Sequence, residues 1–393
     1  MKKLVSIVGI CCSITFFVSC NKDLGGVASS PSDRSTGLLI APGGGGSGSG
    51  NGGGTAGVIT AGEWNDLDHW NFWMDLLQKD SFKTFPDTWE FYTDNRIIIH
   101  LKDINGQALY DARLALNTSN YSCSAVTDNS GKAELFPGLF TPHFLPENAN
   151  LKVEYHGQQF DLGSVSSSEH SLSKTLPIAR SRSTTVDIMF VVDATGSMGD
   201  ELEYLKTEIK DVISRAGSQL PGKQLRMGSV FYRDKDDEYV VRPFGFTTDV
   251  NQLTAFINKQ NANGGGDTPE AVDEGLDQAI NQQQWSSSAI NRLIILVLDA
   301  PSHKTPDVMT RLKNAITAAQ QKGIRIIPVS ASGIDKETEF LFRFFSISTN
   351  GTYVFITNDS GIGSSHLQAS VGDYKVEFLN NLLVRLISRY GQE

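Results

Sequence analysis

The chain has 393 residues, 39% of them hydrophobic and 20% charged, a length that suggests about two or three folded domains. Its formal net charge of −10 argues against a general nucleic-acid-binding protein, which normally presents a basic face. Only four cysteines occur, so neither a disulfide framework nor a cysteine-rich zinc site is expected. The seven histidines form no HExxH motif or similar close ligand pair, so zinc-dependent hydrolysis has little support.

Residues 1–20 have the pattern of a secretory signal peptide. Lys2 and Lys3 precede an apolar run, Leu4 to Val18, that is too short to span a membrane as a helix. Cys20 directly follows the small residue Ser19, which resembles a bacterial lipobox and implies that Cys20 becomes the lipidated first residue of the mature protein. The alternative is an ordinary signal peptide with an incidental cysteine. The charged sequence after Cys20 is also similar to the surface-export signals of Bacteroidota lipoproteins.

These resemblances imply a protein of the cell envelope, held at the outer membrane or the cell surface by a lipid anchor alone. Residues 21–61 are polar and then almost wholly Gly and Ser, which predicts a flexible tether with a reach of roughly 35 Å.

Residues 62–95 form a Trp-rich segment that we predict to be helical, because apolar residues recur at three-to-four spacing between Glu63 and Leu77. Its aromatic stripe favours core packing or a docking seam over a sugar-binding platform.

Residues 96–182 contain short alternating segments separated by turn residues such as Asn105-Gly106 and Ser130-Gly131. This spacing predicts a small antiparallel β-sandwich. The pattern resembles the carboxypeptidase-regulatory or transthyretin-like sandwiches of secreted proteins. No acid pair, nucleophile or metal-ligand cluster stands out, so we expect it to act as a spacer.

Residues 183–393 change to strand–helix alternation. The continuous apolar run from Asp187 to Val192 predicts a strand buried on both faces, and similar runs follow near 226–232, 293–298 and 324–329. The fold class is therefore α/β, with a doubly wound, mostly parallel sheet at the C-terminus. Asp193 and Asp299 each follow an apolar strand, so both side chains should lie at the edge where such sheets bind ligands.

The sequence Asp193-x-Thr195-x-Ser197 resembles the metal-ion-dependent adhesion motif of von Willebrand factor A domains. Carboxylate and hydroxyl oxygens are the ligands that hard divalent cations prefer. Three further segments, which begin at Phe231, Gly264 and Leu298, follow in the order seen in the subgroup of the A domains of hemicentins and some α-kinase proteins. The resemblance implies Mg²⁺, or alternatively Mn²⁺ or Ca²⁺, at this motif.

By the same resemblance, Asp193, Thr195 and Ser197 form the first metal-binding loop and Asp299 adds a carboxylate through water. The middle loop offers either Thr268, the usual residue type in A domains, or Glu270, as in integrin β-subunit domains, and Glu270 is preferred.

Those β-subunit domains also bind flanking Ca²⁺ ions. The residues that match these flanking sites are Asp200, Glu201, Asp234 and Asp267. Acidic residues at positions 200 and 201 also favour a helix N-terminus without any metal.

Three functions compete at this point. The preferred one is cation-dependent binding of an unidentified protein or other macromolecule, through an acidic side chain or another oxygen of that partner. The second is a structural component of an envelope complex, in which the metal only stabilises the loops. A metal-assisted hydrolase is the third, and we expect no enzyme because the carboxylates are better explained as ligands than as a positioned base.

Overall fold

A computed structural model describes residues 59–266, 268–360 and 366–392. The predicted signal peptide, the lipidation site Cys20, most of the predicted tether and the flanking-site candidate Asp267 lie outside these residues. Within the described residues, no helix combines the length and the apolar character that crossing a bilayer requires.

The N-terminal described segment begins with a strand. It contains β1 (Thr60–Trp64), α1 (Trp70–Leu76) and α2 (Phe85–Trp89). The predicted helix between Glu63 and Leu77 therefore starts later than its apolar spacing indicated, because β1 pairs with a distant strand of the C-terminal region. The aromatic side chains of this segment pack in the hydrophobic core, where Trp64, Trp73 and Trp89 are buried.

Residues 97–175 fold into two small sheets. Their strands are β2 (Ile97–Lys102), β3 (Arg113–Asn117), β4 (Ser122–Val126), β5 (Lys132–Leu135), β6 (Ala149–Tyr155), β7 (Gln158–Val165) and β8 (Ser171–Thr175). The sheets have the orders β5-β2-β8 and β4-β3-β6-β7. All their pairings are antiparallel except β2 with β8, which is parallel. Alternating burial along β2 and β6 places one face of each strand in a shared core.

The C-terminal region alternates strands and helices. Its strands are β9 (Thr185–Asp193), β10 (Gln224–Tyr232), β11 (Val241–Thr247), β12 (Asn291–Leu298), β13 (Ile324–Ser330), β14 (Tyr353–Ile356) and β15 (Glu377–Phe378). Its helices are α3 (Gly199–Gln219), α4 (Val250–Ile257), α5 (Val272–Asn281), α6 (Pro306–Lys322), α7 (Lys336–Ser348) and α8 (Leu379–Gly391).

An eight-stranded sheet in the order β11-β10-β9-β12-β13-β14-β1-β15 organises this region. The five strands from β10 to β14 in that order run parallel, and the remaining pairings are antiparallel. Every residue of β12 and β13 is buried, because helices cover both faces of the sheet. The predicted mostly parallel α/β fold, preceded by small β-sheets, is confirmed.

Local sequence signals set the limits of several helices. Thr305 caps α6 by accepting a hydrogen bond from the Val308 amide, and Gly323 ends that helix in the left-handed conformation. Asp335 caps α7 by accepting one from the Thr338 amide. Apolar residues at helical spacing extend from Val376 to Tyr390, but Glu377 and Phe378 form β15 and the helix begins only at Leu379.

The small sheets join the large one through buried polar contacts. Arg292 at the start of β12 donates to the Asp111 carboxylate at 2.8 Å, and both side chains are buried. Arg325 at the start of β13 lies fully buried, with its guanidinium 3.3 Å from the Val126 carbonyl oxygen. These contacts lie at the end of the parallel strands opposite Asp193, so they leave the candidate site uncovered.

Candidate metal centre

The loop after β9 holds the first predicted ligands in place. Asp193 is the last residue of β9 and is fully buried. Its Oδ1 accepts hydrogen bonds from the Thr195 amide at 2.9 Å and the Thr195 hydroxyl at 2.7 Å. The hydroxyls of Thr195 and Ser197 lie 3.5 Å apart. The turn therefore gathers one carboxylate and two hydroxyls before α3 begins.

Two further loops approach this turn. Asp299 follows β12, and β12 and β9 are parallel neighbours, so both carboxylates emerge at the same edge. The negative charge of Asp299 adds to burial in raising the pKa of Asp193. Glu270 is 3% exposed and is held through its backbone, because its amide donates to the Pro301 carbonyl at 2.9 Å in the loop that carries Asp299.

Gly265 allows the middle loop to approach the first. Its φ of +71° lies in the left-handed region, which favours glycine. A Cβ atom at this position would lie 2.9 Å from Glu270 Oε1 and 3.2 Å from Thr195 Cβ. The space between Glu270 and the first loop is therefore closed to any larger residue.

The site brings together three acidic side chains, those of Asp193, Glu270 and Asp299. Among the described residues, Asp193 Oδ2, Glu270 Oε2 and Asp299 Oδ1 are buried and have no hydrogen-bond partner. Burial and then the charge of Asp299 raise the pKa of Asp193 to about 7. Burial and then Asp193 raise the pKa of Glu270 to about 9, and burial also raises the pKa of Asp299. Buried carboxylates of this kind require either protons or a cation.

The donor set fits a hard divalent cation only if hydroxyls and water contribute. Within the described residues, no three Asp, Glu, His or Cys side chains converge closely enough to hold a metal ion by themselves. Thr195 and Ser197 would supply the remaining protein oxygens. Mg²⁺ keeps several waters and accepts one or two carboxylates, so it suits such a set.

The two candidates in the middle loop occupy different environments. Thr268 is exposed, whereas Glu270 is buried and close enough to Asp193 and Asp299 for their charges to raise its pKa. The geometry therefore favours Glu270 as the residue that faces the site.

The candidates for flanking sites do not form a single group. Asp200 is exposed, and Glu201 is buried and accepts hydrogen bonds from the Ser332 amide and hydroxyl. Both residues lie in the first turn of α3. Asp234 Oδ1 lies 2.9 Å from His303 Nε2, so this carboxylate already has a hydrogen-bond partner.

Two nearby residues had no assigned role in the sequence-based prediction. Tyr232 is fully buried, and the charges of Asp193, Asp299 and Glu270 add to burial in raising the pKa of its hydroxyl. Asp237 accepts hydrogen bonds from the Asp234 and Gly265 amides, at 3.1 and 3.0 Å, and so braces the middle loop. The run Tyr232-Arg233-Asp234 at the end of β10 was the available signal, because β10 is the other parallel neighbour of β9.

The C-terminal region is similar in sequence to known proteins. Residues 187–368 match the sequence profile of the von Willebrand factor type A domain. The α-protein kinase vwkA of Dictyostelium discoideum is 25% identical over 170 residues, which cover 43% of this chain and 27% of the kinase. An ariadne-like RING finger protein of Acanthamoeba polyphaga mimivirus is 33% identical over 118 residues, 30% of this chain and 11% of that protein. The chain thus spans about a quarter or less of the length of these curated relatives.

Among solved structures, the crystal structure of the conserved hypothetical protein BatB from Bacteroides thetaiotaomicron is similar, with 16% identity and a TM-score of 0.34. The match covers 52% of this chain and 98% of that one.

Proposed function

We propose that this chain, which carries a von Willebrand factor type A domain, binds a macromolecular partner through a divalent cation held by that domain. Domains of this family typically bind proteins or other ligands. One observation supports a cation in this chain above all. Three buried carboxylate oxygens, on Asp193, Glu270 and Asp299, have no hydrogen-bond partner among the described residues. The hydroxyls of Thr195 and Ser197 lie in the same site, 3.5 Å from each other.

Each residue has a distinct part in this proposal. Asp193, Thr195, Ser197 and Asp299 would hold the cation. Thr195 also orients Asp193 through its two hydrogen bonds. Mg²⁺ is the proposed ion, with Mn²⁺ or Ca²⁺ as substitutes, and when bound it offers its open coordination position to an oxygen of the partner. Glu270 Oε1 and Thr195 Cβ lie 2.9 and 3.2 Å from the position of a Cβ atom on Gly265, and Glu270 adds negative charge there.

The charge of the site limits the partner. Three carboxylates around one divalent ion leave an excess of negative charge, which weakens the attraction for an acidic partner. We therefore propose that an acidic side chain engages the ion only when Glu270 moves aside or a flanking Ca²⁺ binds near Asp234. A partner that offers a neutral oxygen needs neither change.

We place this binding function at the cell envelope, with the folded region anchored by a lipid on Cys20 and spaced from the membrane by residues 21–61. The carboxylates serve as ligands in this proposal, so no catalysis is assigned. The second candidate, a structural component of an envelope complex, has one observation in its favour. The small sheets and the large sheet share buried contacts such as Arg292 with Asp111, which suits a rigid building block.

A cation-dependent capture experiment distinguishes the two candidates. Full-length wild-type protein and the Asp193→Ala variant are each used to capture partners from envelope and host extracts, with Mg²⁺ or with a chelator. Binding through the cation predicts recovery only by wild type with Mg²⁺. Asp236→Ala, which removes an exposed carboxylate from the nearby loop, is the matched control and should behave as wild type. Equal recovery by both proteins in both conditions would contradict the proposal and favour the structural role.

A further inference from the structure

The described residues expose few large apolar side chains, and these are concentrated in one short segment. Five such side chains are exposed, and three of them are Tyr374 at 40%, Val376 at 41% and Phe378 at 38%. They alternate with Lys375 and Glu377, which gives the period of a strand. One face of this segment is therefore apolar and the other charged, and contiguous apolar exposure of this kind marks an interaction surface.

Among the described residues, this segment ends in the edge strand of the eight-stranded sheet. β15 pairs with β1 and is the last strand in the sheet order. Contacts with β1 continue before β15, because a Cβ atom at Gly62 would lie 2.7 Å from the Tyr374 ring and one at Gly372 would lie 2.8 Å from the Trp64 ring. Only Glu377 and Phe378 pair with β1 as a strand, and residues 372–376 lie beside β1 without regular pairing.

The alternation of the antiparallel pairing sets which backbone groups face outward. The Leu379 amide donates to the Ile59 carbonyl at 2.8 Å, and Phe378 is the Cα partner of Thr60. Since inward and outward backbone groups alternate along an antiparallel strand, those of Val376 point away from β1. An unpaired edge of this type is a template for another strand.

We propose that this edge pairs with the same edge of a second copy of the chain, in antiparallel orientation, with the two-fold axis at Val376. A two-fold interface must be complementary to itself. This register places Val376 opposite its own copy, with its backbone groups facing the corresponding groups of the partner strand.

The neighbouring side chains are self-complementary in the same register. Lys375 falls opposite Glu377 of the second copy, and the symmetry makes this pair twice. Tyr374 falls opposite Phe378 of the second copy, also twice. Opposite charges and aromatic pairs directly across a strand pair are favourable, and like charges there are unfavourable. A register shifted by one residue in either strand would bring Lys375 opposite Val376 or Phe378, and would lose the charge pairs.

The pairing is expected to be weak. About seven residues from each copy bury less than the roughly 1,200 Å² of a stable interface, so the dimer should form only at high protein concentration. Tethering many copies to one membrane would raise their local concentration and favour the dimer.

Charge reversal tests the register. Sedimentation equilibrium of the full-length chain should show a monomer–dimer equilibrium for wild type. Lys375→Glu places like charges opposite each other twice and should raise the dissociation constant about tenfold or more, whereas Lys375→Glu combined with Glu377→Lys should restore it. Because Glu377 also pairs with Arg385, thermal unfolding of each variant verifies that it is folded. A monomeric wild type at 200 μM, or a dimer insensitive to Lys375→Glu, would overturn the proposal.

Cross-linking tests the symmetry axis independently of those charges. Val376→Cys brings two thiols together at the axis and should yield a disulfide-linked dimer under mild oxidation. Ile104→Cys, which introduces a thiol at a site that is 60% exposed and distant in sequence from this edge, is the control and should form no disulfide-linked dimer. Equal cross-linking of both variants, or none in the Val376→Cys variant, would refute an axis at this position.

Discussion

Replacing Asp193 by asparagine should have opposite effects on stability with and without a divalent cation. The side chain is fully buried, and its pKa of about 7 lies about three units above the ordinary value of 3.8. At 1.36 kcal/mol per unit, keeping the carboxylate ionised above pH 7 costs about 4 kcal/mol. Asparagine removes this charge and retains an oxygen that accepts the hydrogen bonds from Thr195.

The amide group of asparagine brings a cost of its own. Its NH₂ group would occupy the position of the unpaired Oδ2 atom, and an unsatisfied buried donor costs about 1–3 kcal/mol. In a chelator, the variant should therefore be more stable than wild type by about 1–3 kcal/mol. In Mg²⁺ at 100 times the dissociation constant, wild type alone should gain about 2.7 kcal/mol.

Thermal unfolding in EDTA and in a Mg²⁺ series measures both effects. One kcal/mol corresponds to about 2–4 °C for a domain of 150–250 residues, so wild type should gain roughly 5–10 °C with Mg²⁺ and the variant should gain none. If Mg²⁺ stabilises both proteins equally, or if the variant is the less stable one in EDTA, the assignment of Asp193 as a metal ligand is wrong.

Three further predictions concern the pH dependence of stability, the ligand in the middle loop and a buried arginine. In EDTA the free energy of unfolding of wild type should fall as the pH rises from about 4 to about 9, because the native state binds more protons than the unfolded state while Asp193 and Glu270 titrate. Denaturant unfolding at several pH values checks this, and a rise in stability over that range contradicts it. Glu270→Gln should weaken Mg²⁺ binding measured by calorimetry about tenfold, whereas Thr268→Ala should leave it unchanged, and the reverse ranking would make Thr268 the ligand. Arg343→Met should cost about 3–5 kcal/mol in denaturant unfolding, because it leaves Asp66 buried without its cation and leaves Glu339 paired with Lys336 alone. Leu145→Ala, at a site that is 84% exposed, should change stability by less than about 0.5 kcal/mol.

The parallel core of the fold could be predicted because its strands carry a local signal. The run from Asp187 to Val192 and the one at 293–298 are continuously apolar, which indicates strands buried on both faces. Since parallel strands end at one edge, the pattern also placed Asp193 and Asp299 together, as the structure does.

Other features depend on contacts between distant parts of the chain. β1 has only five residues, and it is a strand because it pairs with β14 and β15, roughly 300 residues later in the sequence. Its last residue, Trp64, also fits a helical period, and no local signal distinguishes the two structures. β15 has only two residues and adjoins a strongly amphipathic helix, so the helical pattern masked it.

The middle loop of the site shows the same limit. Both Thr268 and Glu270 have oxygen ligands at acceptable spacing, and the sequence alone left both open. The choice depends on the backbone hydrogen bond from Glu270 to Pro301 and on the close approach that Gly265 allows. Neither the Glu270–Pro301 hydrogen bond nor the close approach at Gly265 can be recognised from the local sequence pattern.

Whether Asp193, Ser197 and Asp299 hold a divalent cation can be seen in a crystal grown with Mn²⁺ and measured at the manganese absorption edge. We expect an anomalous peak about 2.0–2.6 Å from side-chain oxygens of Asp193 and Ser197, with Asp299 bound directly or through one water. A peak at another position, or none here in crystals that hold Mn²⁺ elsewhere, would contradict it.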